Sequence, residues 1–218
     1  MTCSVIGPDK LPGFRQSLKG ENLLPQVREK GCLLIDCAVG IGKSYSMDDT
    51  IETAIVQNEY DLVVVLCPTR NIINERSWVK APPENVKVIN LRPRPSEMCG
   101  SLNNWKWGKF ETQGMGLLGK ITICDDCAHR DQCFWPDQFG KQLEGTRVVF
   151  STQVRFIQNP YFIEQLISGT KCKNALVLID EANLAISNFR RKIKRVDLER
   201  FLNVLKRAAG KLNSRSHR

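Results

Sequence analysis

The sequence lacks any long hydrophobic run, and none of its apolar stretches approaches the ~20 residues with which a helix crosses a bilayer. Its first residues, MTCSVIGPDKLPGF, also lack the apolar core and the small-residue cleavage site of a secretory signal. No internal repeat is visible, so a repeat architecture is not expected. These absences predict a cytoplasmic protein without a membrane partner.

Nine cysteines in a chain without an export signal predict a reducing compartment. In such a compartment, closely spaced cysteines more often bind metal than form disulfides. The apolar and charged fractions are ordinary, which favours a folded domain with a real core. A chain of 218 residues has room for one large domain or for one domain that carries an insertion.

The formal net charge of +9 falls entirely in the last part of the chain. From Ser187 to Arg218 there are eleven basic and two acidic residues, and 11 − 2 = 9. This segment also predicts a helix that begins at Asp197. A basic end suits contact with phosphate backbones, whereas the plainer interpretation is a solvated helix face with a frayed tail.

Short apolar runs of strand length alternate with stretches of helical character. The runs span residues 31–36, 61–66, 85–91, 146–152 and 175–180. Helices are predicted after Lys43, over residues 68–79 and over residues 161–167. This alternation predicts an α/β domain built around a parallel sheet. Residues 93–140 do not follow this alternation, and they contain prolines, glycines, three tryptophans and four cysteines. We therefore interpret them as an insertion.

The stretch DCAVGIGKS (36–44) resembles a phosphate-binding loop between a strand and a helix. Glycines let backbone N–H groups converge on phosphate oxygens, the lysine meets the β and γ phosphates of ATP, and the serine hydroxyl binds Mg²⁺. Cys37 replaces the usual first glycine, but the position mainly needs a small residue. The plainer alternative is a glycine-rich turn with a surface lysine. The predicted nucleotide-binding residues are Gly40, Ile41, Gly42, Lys43 and Ser44.

A second element, ALVLIDEAN (175–183), is an apolar run that ends in two carboxylates. Beside a phosphate-binding loop, Asp180 can hold Mg²⁺ together with Ser44, and Glu181 can polarise the attacking water. We therefore predict that Lys43, Asp180 and Glu181 are catalytic. Alone, the pair would fit an acidic strand end that caps a helix.

Here the chain resembles a family. DEAN resembles the Asp-Glu-Ala-His box of superfamily 2 helicases, with Asn183 in place of histidine, and VVVLCPTRNIINE (63–75) resembles their motif Ia. RVVFSTQVRFI (147–157) is similar to a later segment that also contacts the nucleic-acid strand. The resemblance implies a RecA-like P-loop NTPase fold and contact between single-stranded DNA and three residues. These are Thr69, Arg70 and Thr152.

Cys124, Cys127 and Cys133 form a C-x2-C-x5-C pattern, with Cys99 upstream. Four thiolates suit a tetrahedral zinc ion, in which His129 could replace one cysteine, and they equally suit an iron–sulfur cluster. Reduced cysteines without a metal are the third interpretation, and the spacing does not separate these three.

The position of the cysteines between motif Ia and the DEAN segment resembles the iron–sulfur helicases related to DinG and XPD. The resemblance covers about residues 30–185 and implies a 4Fe–4S cluster on the four cysteines, with Zn²⁺ as the alternative. The tryptophans of the insertion either stack on single-stranded bases or pack a small metal-supported lobe.

The resemblance implies the first motor domain of an ATP-dependent DNA helicase. The expected parts are residues 1–92 and 141–186 of the RecA-like domain, the cysteine-rich metal-binding insertion 93–140, and the basic helical segment 187–218. Only 35 residues follow Asn183, too few for a second motor domain. We therefore expect weak activity from this chain alone and a second motor domain elsewhere. The alternatives are a nucleic-acid-binding module without turnover and a zinc-supported NTPase of replication.

Overall fold

The computed structural model of the chain describes residues 11–35, 41–112, 119–159 and 161–182. The first five α-helices of these residues are α1 (Leu11–Ser17), α2 (Gly20–Lys30), α3 (Lys43–Val56), α4 (Arg70–Glu75) and α5 (Ser77–Lys80). The next three are α6 (Ser96–Thr112), α7 (Gln153–Gln158) and α8 (Phe162–Thr170). The strands are β1 (Leu62–Cys67), β2 (Val88–Asn90), β3 (Val148–Thr152) and β4 (Ala175–Ile179). Within the described ranges, no helix combines the length and the apolar character needed to cross a membrane.

The four strands form one sheet in the order β2–β3–β1–β4, and all neighbouring pairs are parallel. In the register of the central strand, Val65 lies between Phe150 of β3 and Leu178 of β4. Consecutive strands are joined through helices, as parallel pairing requires. The predicted fold class, α/β with a parallel sheet, is confirmed at this level.

Strand β1 lies at the centre of the hydrophobic core, and all six of its residues are buried. Val63 and Val65 face a cluster that includes Ile51 of α3, whereas Val64 faces a cluster that includes Phe162 of α8. Because successive side chains of a strand point to opposite faces, a strand covered by helices on both sides must be apolar throughout. This requirement explains why its sequence, LVVVLC, has no polar alternation.

The structure contains four of the five predicted strands. The prediction of the first strand, over residues 31–36, is wrong for the part that the structure describes. Residues 31–35 have no regular secondary structure, and residue 36 lies outside the described residues. Leu34 is 71% exposed and Ile35 is 38% exposed. A strand is stabilised by backbone pairing with a neighbour, and residues 31–35 pair with no strand of the described sheet. Apolar character alone therefore did not decide the structure of this segment.

The predicted helix over residues 68–79 is divided into α4 and α5. The break lies at Arg76, whose backbone is extended with φ −64° and ψ 136°. This turn directs the Arg76 side chain into the interior, where only 5% of it is exposed.

The cysteine-rich segment 93–140 contains no strand in its described part, which consists of α6 and short helical turns. The turns span Lys120–Cys124, Arg130–Gln132 and Pro136–Phe139. Helix α6 is broken at Gly100, whose φ of 68° suits glycine. Trp107, Ile123 and Cys124 form a small separate core. The predicted domain boundary at 187 and the basic segment 187–218 lie outside the described residues.

Candidate functional site

The carboxyl ends of the parallel strands bring several predicted site residues to one edge of the sheet. Thr69 and Arg70 follow β1, Thr152 ends β3, and Asp180 follows β4. Ligands of open α/β sheets bind at this edge, because the loops there connect strands to helices on both faces. The segments that carry these residues are far apart in the chain, and the parallel pairing places them together.

Helix α3 begins at Lys43, directly after the glycine that the sequence assigned to a phosphate-binding loop. Gly42 has φ 102°, a left-handed conformation that other residues rarely adopt. Ser44 is exposed, and Ile41 and Lys43 are partly buried. The first N–H groups of a helix have no partner within it, so they are available to an anion. The predicted Gly40 and the unusual Cys37 lie outside the described residues.

The buried guanidinium of Arg76 connects helix α3 with the end of β4. Arg76 Nη2 lies 2.5 Å from Asp180 Oδ2, and only 12% of the Asp180 side chain is exposed. Arg76 Nη1 donates to the Ser44 carbonyl at 3.1 Å and lies 3.7 Å from Asp48 Oδ1. Asp180 and Ser44, which are 136 residues apart, therefore contact the same side chain.

The backbone of Asp180 is fixed on both sides. Its N–H donates to the Leu66 carbonyl at 2.9 Å, and its carbonyl accepts from Gln153, a side chain with 2% exposure. The next residue, Glu181, is exposed and has φ 53°. Asp180 is thus held in a defined position, while the Glu181 carboxylate reaches solvent.

The oxygen atoms around Arg76 are of the kinds that bind a magnesium ion. Carboxylate and carbonyl oxygens are ligands of hard divalent cations, and oxygens of Ser44, Asp48 and Asp180 surround the guanidinium. Asp48 Oδ1 is buried and has no hydrogen bond. These residues fit Mg²⁺, although an arginine pairs with the key carboxylate.

A cleft of about 610 Å³ is lined by residues of α4, α5 and β2 and of the loop that follows β2. Its polar lining residues are Arg70, Asn74, Asn90 and Arg92, and Trp78 is among the apolar ones. Arg70 Nη1 donates to Asn90 Oδ1 at 2.9 Å, and partial burial lowers the pKa of Arg70. The cleft therefore combines cationic and amide groups with apolar lining residues.

Arg155, in α7, adds a second partly buried guanidinium near Arg70. It donates to the Arg92 carbonyl. Burial, and after it the charge of Arg70, lower the pKa of Arg155 to about 10. Because two like charges are held near each other in a partly desolvated region, an anion such as a phosphate would be stabilised there.

Thr69 and Thr152, the other two residues predicted to contact nucleic acid, both make contacts within the fold. Thr69 caps α4, and its hydroxyl accepts from the Ile72 N–H at 3.4 Å. Thr152 is partly buried and pairs with Cys67 in the sheet register. Thr69 therefore has a structural role whatever else it contacts.

All four predicted metal-binding cysteines line one cavity in the segment 93–140. Cys99 from α6 lies there with the three clustered cysteines, Cys124, Cys127 and Cys133, and His129 also lines the cavity. The pKa of Cys124 is raised to about 11 by burial, and then by the neighbouring thiols of Cys99, Cys133 and Cys127. Tertiary packing thus brings the distant Cys99 to the cluster.

Two tryptophans form a wall of the same cavity. The rings of Trp107 and Trp135 lie edge to face with centroids 5.2 Å apart, and the Arg94 guanidinium lies 5.0 Å above the Trp107 ring. Both indole N–H groups are buried without a hydrogen-bond partner. Buried donors normally have acceptors, and thiolate or sulfide sulfur can accept such hydrogen bonds.

Metal coordination itself is not formed in the described residues. No group of three or more His, Cys, Asp or Glu side chains there is gathered closely enough to hold a metal ion. The four thiols in one cavity and the two unpaired indole donors nevertheless have the chemistry that a thiolate-bound metal centre needs. The residues therefore fit such a centre, with zinc or with an iron–sulfur cluster.

Two arginines of the site, Arg76 and Arg155, were not predicted from the sequence. In a helix over residues 68–79, Arg76 would lie on the same face as Ile73 and Val79. A charged residue on an otherwise apolar helix face can indicate a buried ion pair, so this signal was present in the sequence. Arg155 gave no comparable signal, because its partner Arg92 is distant in the chain and contributes only a backbone carbonyl.

Comparison of the chain with family models, with curated proteins and with solved structures found no match.

Proposed function

We propose that this chain is the ATP-binding motor domain of a DNA helicase of superfamily 2, similar to the iron–sulfur helicases. One observation carries the proposal: Asp180, at the end of β4, and Ser44, in the first turn of α3, meet around one buried side chain. A strand-end carboxylate beside a glycine-preceded helix start is the arrangement that binds magnesium and nucleoside triphosphate.

In this proposal each residue has a distinct role. The first turn of α3 binds phosphate oxygens through its backbone N–H groups, and Lys43 neutralises the β and γ phosphates. Ser44 and Asp180 would hold Mg²⁺, which when bound withdraws charge from the phosphates. Glu181 orients water for attack on the γ phosphate, because its exposed carboxylate lies next to Asp180.

The cleft lined by α4, α5 and β2 supports contact with single-stranded DNA. Phosphates of a strand that follows this edge would meet Arg70 and Arg155, and Asn90 would hydrogen-bond to sugar or phosphate. This role predicts a matched pair of variants. Arg70→Gln should weaken binding of a labelled oligonucleotide. It should also reduce, by about one, the slope of log affinity against log salt concentration. Lys171→Gln, which removes an exposed cation paired with Glu144, should do neither.

The cysteine cavity would hold a 4Fe–4S cluster, with Zn²⁺ as the alternative. Its ligands would be Cys99, Cys124, Cys127 and Cys133, and the centre would support a segment whose own core is small. When bound, a centre of this kind contributes to folding and gives the segment a rigid surface beside the DNA cleft.

A nucleic-acid-binding module without turnover is the second candidate. It is favoured by the contact between Arg76 and Asp180, which engages the carboxylate that turnover would require. The two candidates share the cleft and the cysteine cavity and differ only in chemistry at the nucleotide site.

Measurement of ATP hydrolysis with and without single-stranded DNA tests the proposal. A motor domain should show turnover that rises with DNA and disappears in Lys43→Ala. DNA binding without turnover would favour the module, and turnover indifferent to DNA would favour an NTPase with another partner. Addition of a candidate second motor domain should raise the rate, because that domain supplies a transition-state arginine in related enzymes.

A further inference from the structure

Arg76 has an unusual position for a buried arginine. Its guanidinium faces oxygens of three residues. Two of these oxygens are the backbone carbonyl of Ser44, whose hydroxyl is assigned to the metal, and the Asp180 carboxylate, which is itself assigned to the metal. The third, Asp48, lies one turn further along α3. The protein therefore places its own permanent cation against the Asp180 carboxylate, the oxygen ligand that a magnesium ion would also use.

We infer that Arg76 competes with Mg²⁺ for Asp180, and that binding of a magnesium–nucleotide complex moves its guanidinium from Asp180 to Asp48. The inference rests on the proposed function, because it requires a nucleotide at α3. Arg76 would then set the magnesium concentration at which the site fills.

Competition follows from the geometry of the two cations. Arg76 Nη2 is already 2.5 Å from Asp180 Oδ2, and Mg²⁺ needs its oxygen ligands at about 2.0–2.1 Å in an octahedral arrangement. Two cations that share one carboxylate at such distances repel each other strongly where water is partly excluded. Only 5% of Arg76 is exposed, so solvent screens this repulsion poorly.

The Asp48 carboxylate lies where it can bind the displaced guanidinium. Its Oδ1 lies 3.7 Å from Arg76 Nη1, beyond ordinary hydrogen-bond length, and this oxygen is buried without a hydrogen bond. Its Oδ2 accepts from the Ser77 hydroxyl at 2.9 Å, which fixes the carboxylate. A small rotation of Arg76 would convert the loose contact into a hydrogen-bonded ion pair.

Fluorescence of mant-ATP, titrated with MgCl₂, tests this inference without any need for turnover. In Arg76→Gln the magnesium concentration for half-maximal nucleotide binding should fall by about tenfold, a typical size for coupling between two ligands. In Asp48→Asn it should rise, because the guanidinium loses its second position. The double variant should resemble Arg76→Gln, since Asp48 matters only while Arg76 is present.

Arg28→Gln is the matched control, because it breaks an arginine–carboxylate pair that is exposed, with Glu59. It should leave the magnesium requirement unchanged. If Arg76→Gln fails to fold, comparison of Asp48→Asn with wild type decides the question. An unchanged or higher requirement in Arg76→Gln, or an unchanged one in Asp48→Asn, would overturn the competition and leave the proposed function intact. No mant-ATP binding by wild type at saturating magnesium would overturn both.

Discussion

Arg76 Nη2 and Asp180 Oδ2 lie 2.5 Å apart, although 104 residues separate them in the chain. The pair joins the turn between α4 and α5 to the end of β4, and both side chains are largely withdrawn from water. A charge in such surroundings needs its partner, because the protein interior does not replace the lost hydration. The contact therefore bears on folding as well as on the nucleotide site.

Asp180→Ala should lower the free energy of unfolding by about 3 kcal/mol, because it leaves the Arg76 guanidinium buried without its closest carboxylate. Urea unfolding followed by circular dichroism measures the change. The matched control is Glu59→Ala, which breaks the more exposed pair with Arg28 and should cost less than about 1 kcal/mol. Equal effects of the two variants would contradict the importance given to the buried pair.

Lys43→Ala should weaken ATP binding roughly ten- to a hundredfold, because it deletes a charge-assisted contact with the phosphates. Glu181→Gln should leave affinity nearly unchanged and abolish hydrolysis, since it alters only the group that orients water. Calorimetric titration with ATP and magnesium measures affinity, and phosphate release measures turnover. Hydrolysis that survives in Glu181→Gln would remove the role assigned to that residue.

Cys127→Ser should lose the bound metal and destabilise the segment 93–140, because it removes one of the four thiols that line the cavity. Anaerobically purified wild type should be brown if it holds a 4Fe–4S cluster and colourless if it holds zinc. Metal analysis of both proteins measures the loss. Cys32→Ser, which changes an exposed cysteine, should keep the full metal content; loss in both variants would argue against the assigned ligands.

Release of the metal centre should increase tryptophan fluorescence if the centre is an iron–sulfur cluster, because its broad absorption quenches nearby indoles. Trp107 and Trp135 line the cysteine cavity, so they should carry most of the change. Emission before and after chelation under air, in wild type and in Trp135→Phe, measures it. Zinc lacks such absorption, and an unchanged intensity on metal release would favour zinc.

The Asp61 carboxylate should stabilise the fold in a pH-dependent way. It accepts from the Lys173 N–H at 2.8 Å and the Asn174 N–H at 3.2 Å, and these hydrogen bonds lower its pKa below the ordinary 3.8. A carboxylate with a lowered pKa contributes its full stability above the unfolded-state pKa and loses it as pH falls through the folded-state pKa.

Asp61→Ala should therefore be less stable than wild type above pH 3.8, and the difference should shrink as the pH falls below that value. Urea midpoints measured across this range check the prediction. Glu52→Ala, which removes one exposed carboxylate from α3, controls for the lost charge. A difference that grew on acidification would contradict the assigned hydrogen bonds.

The sequence by itself determined the elements whose signals are local. Continuous apolar runs predicted the buried strands β1 and β3 and the partly buried strand β4, because a strand covered on both faces has few polar positions. The apolar spacing that follows Lys43 predicted a helix there, and α3 begins at Lys43, after a glycine in the left-handed conformation. These features depend on neighbours in the chain, so periodicity and composition were sufficient.

Only the tertiary structure decided which distant residues meet. The order β2–β3–β1–β4 left residues 31–35 without a partner in the described sheet, so an apolar run that resembled a strand did not form one. Packing placed Cys99 beside cysteines more than twenty positions away and turned Arg76 toward Asp180. Such contacts depend on the packing of complete elements against one another, and neither the spacing of residues nor their individual propensities encodes that packing.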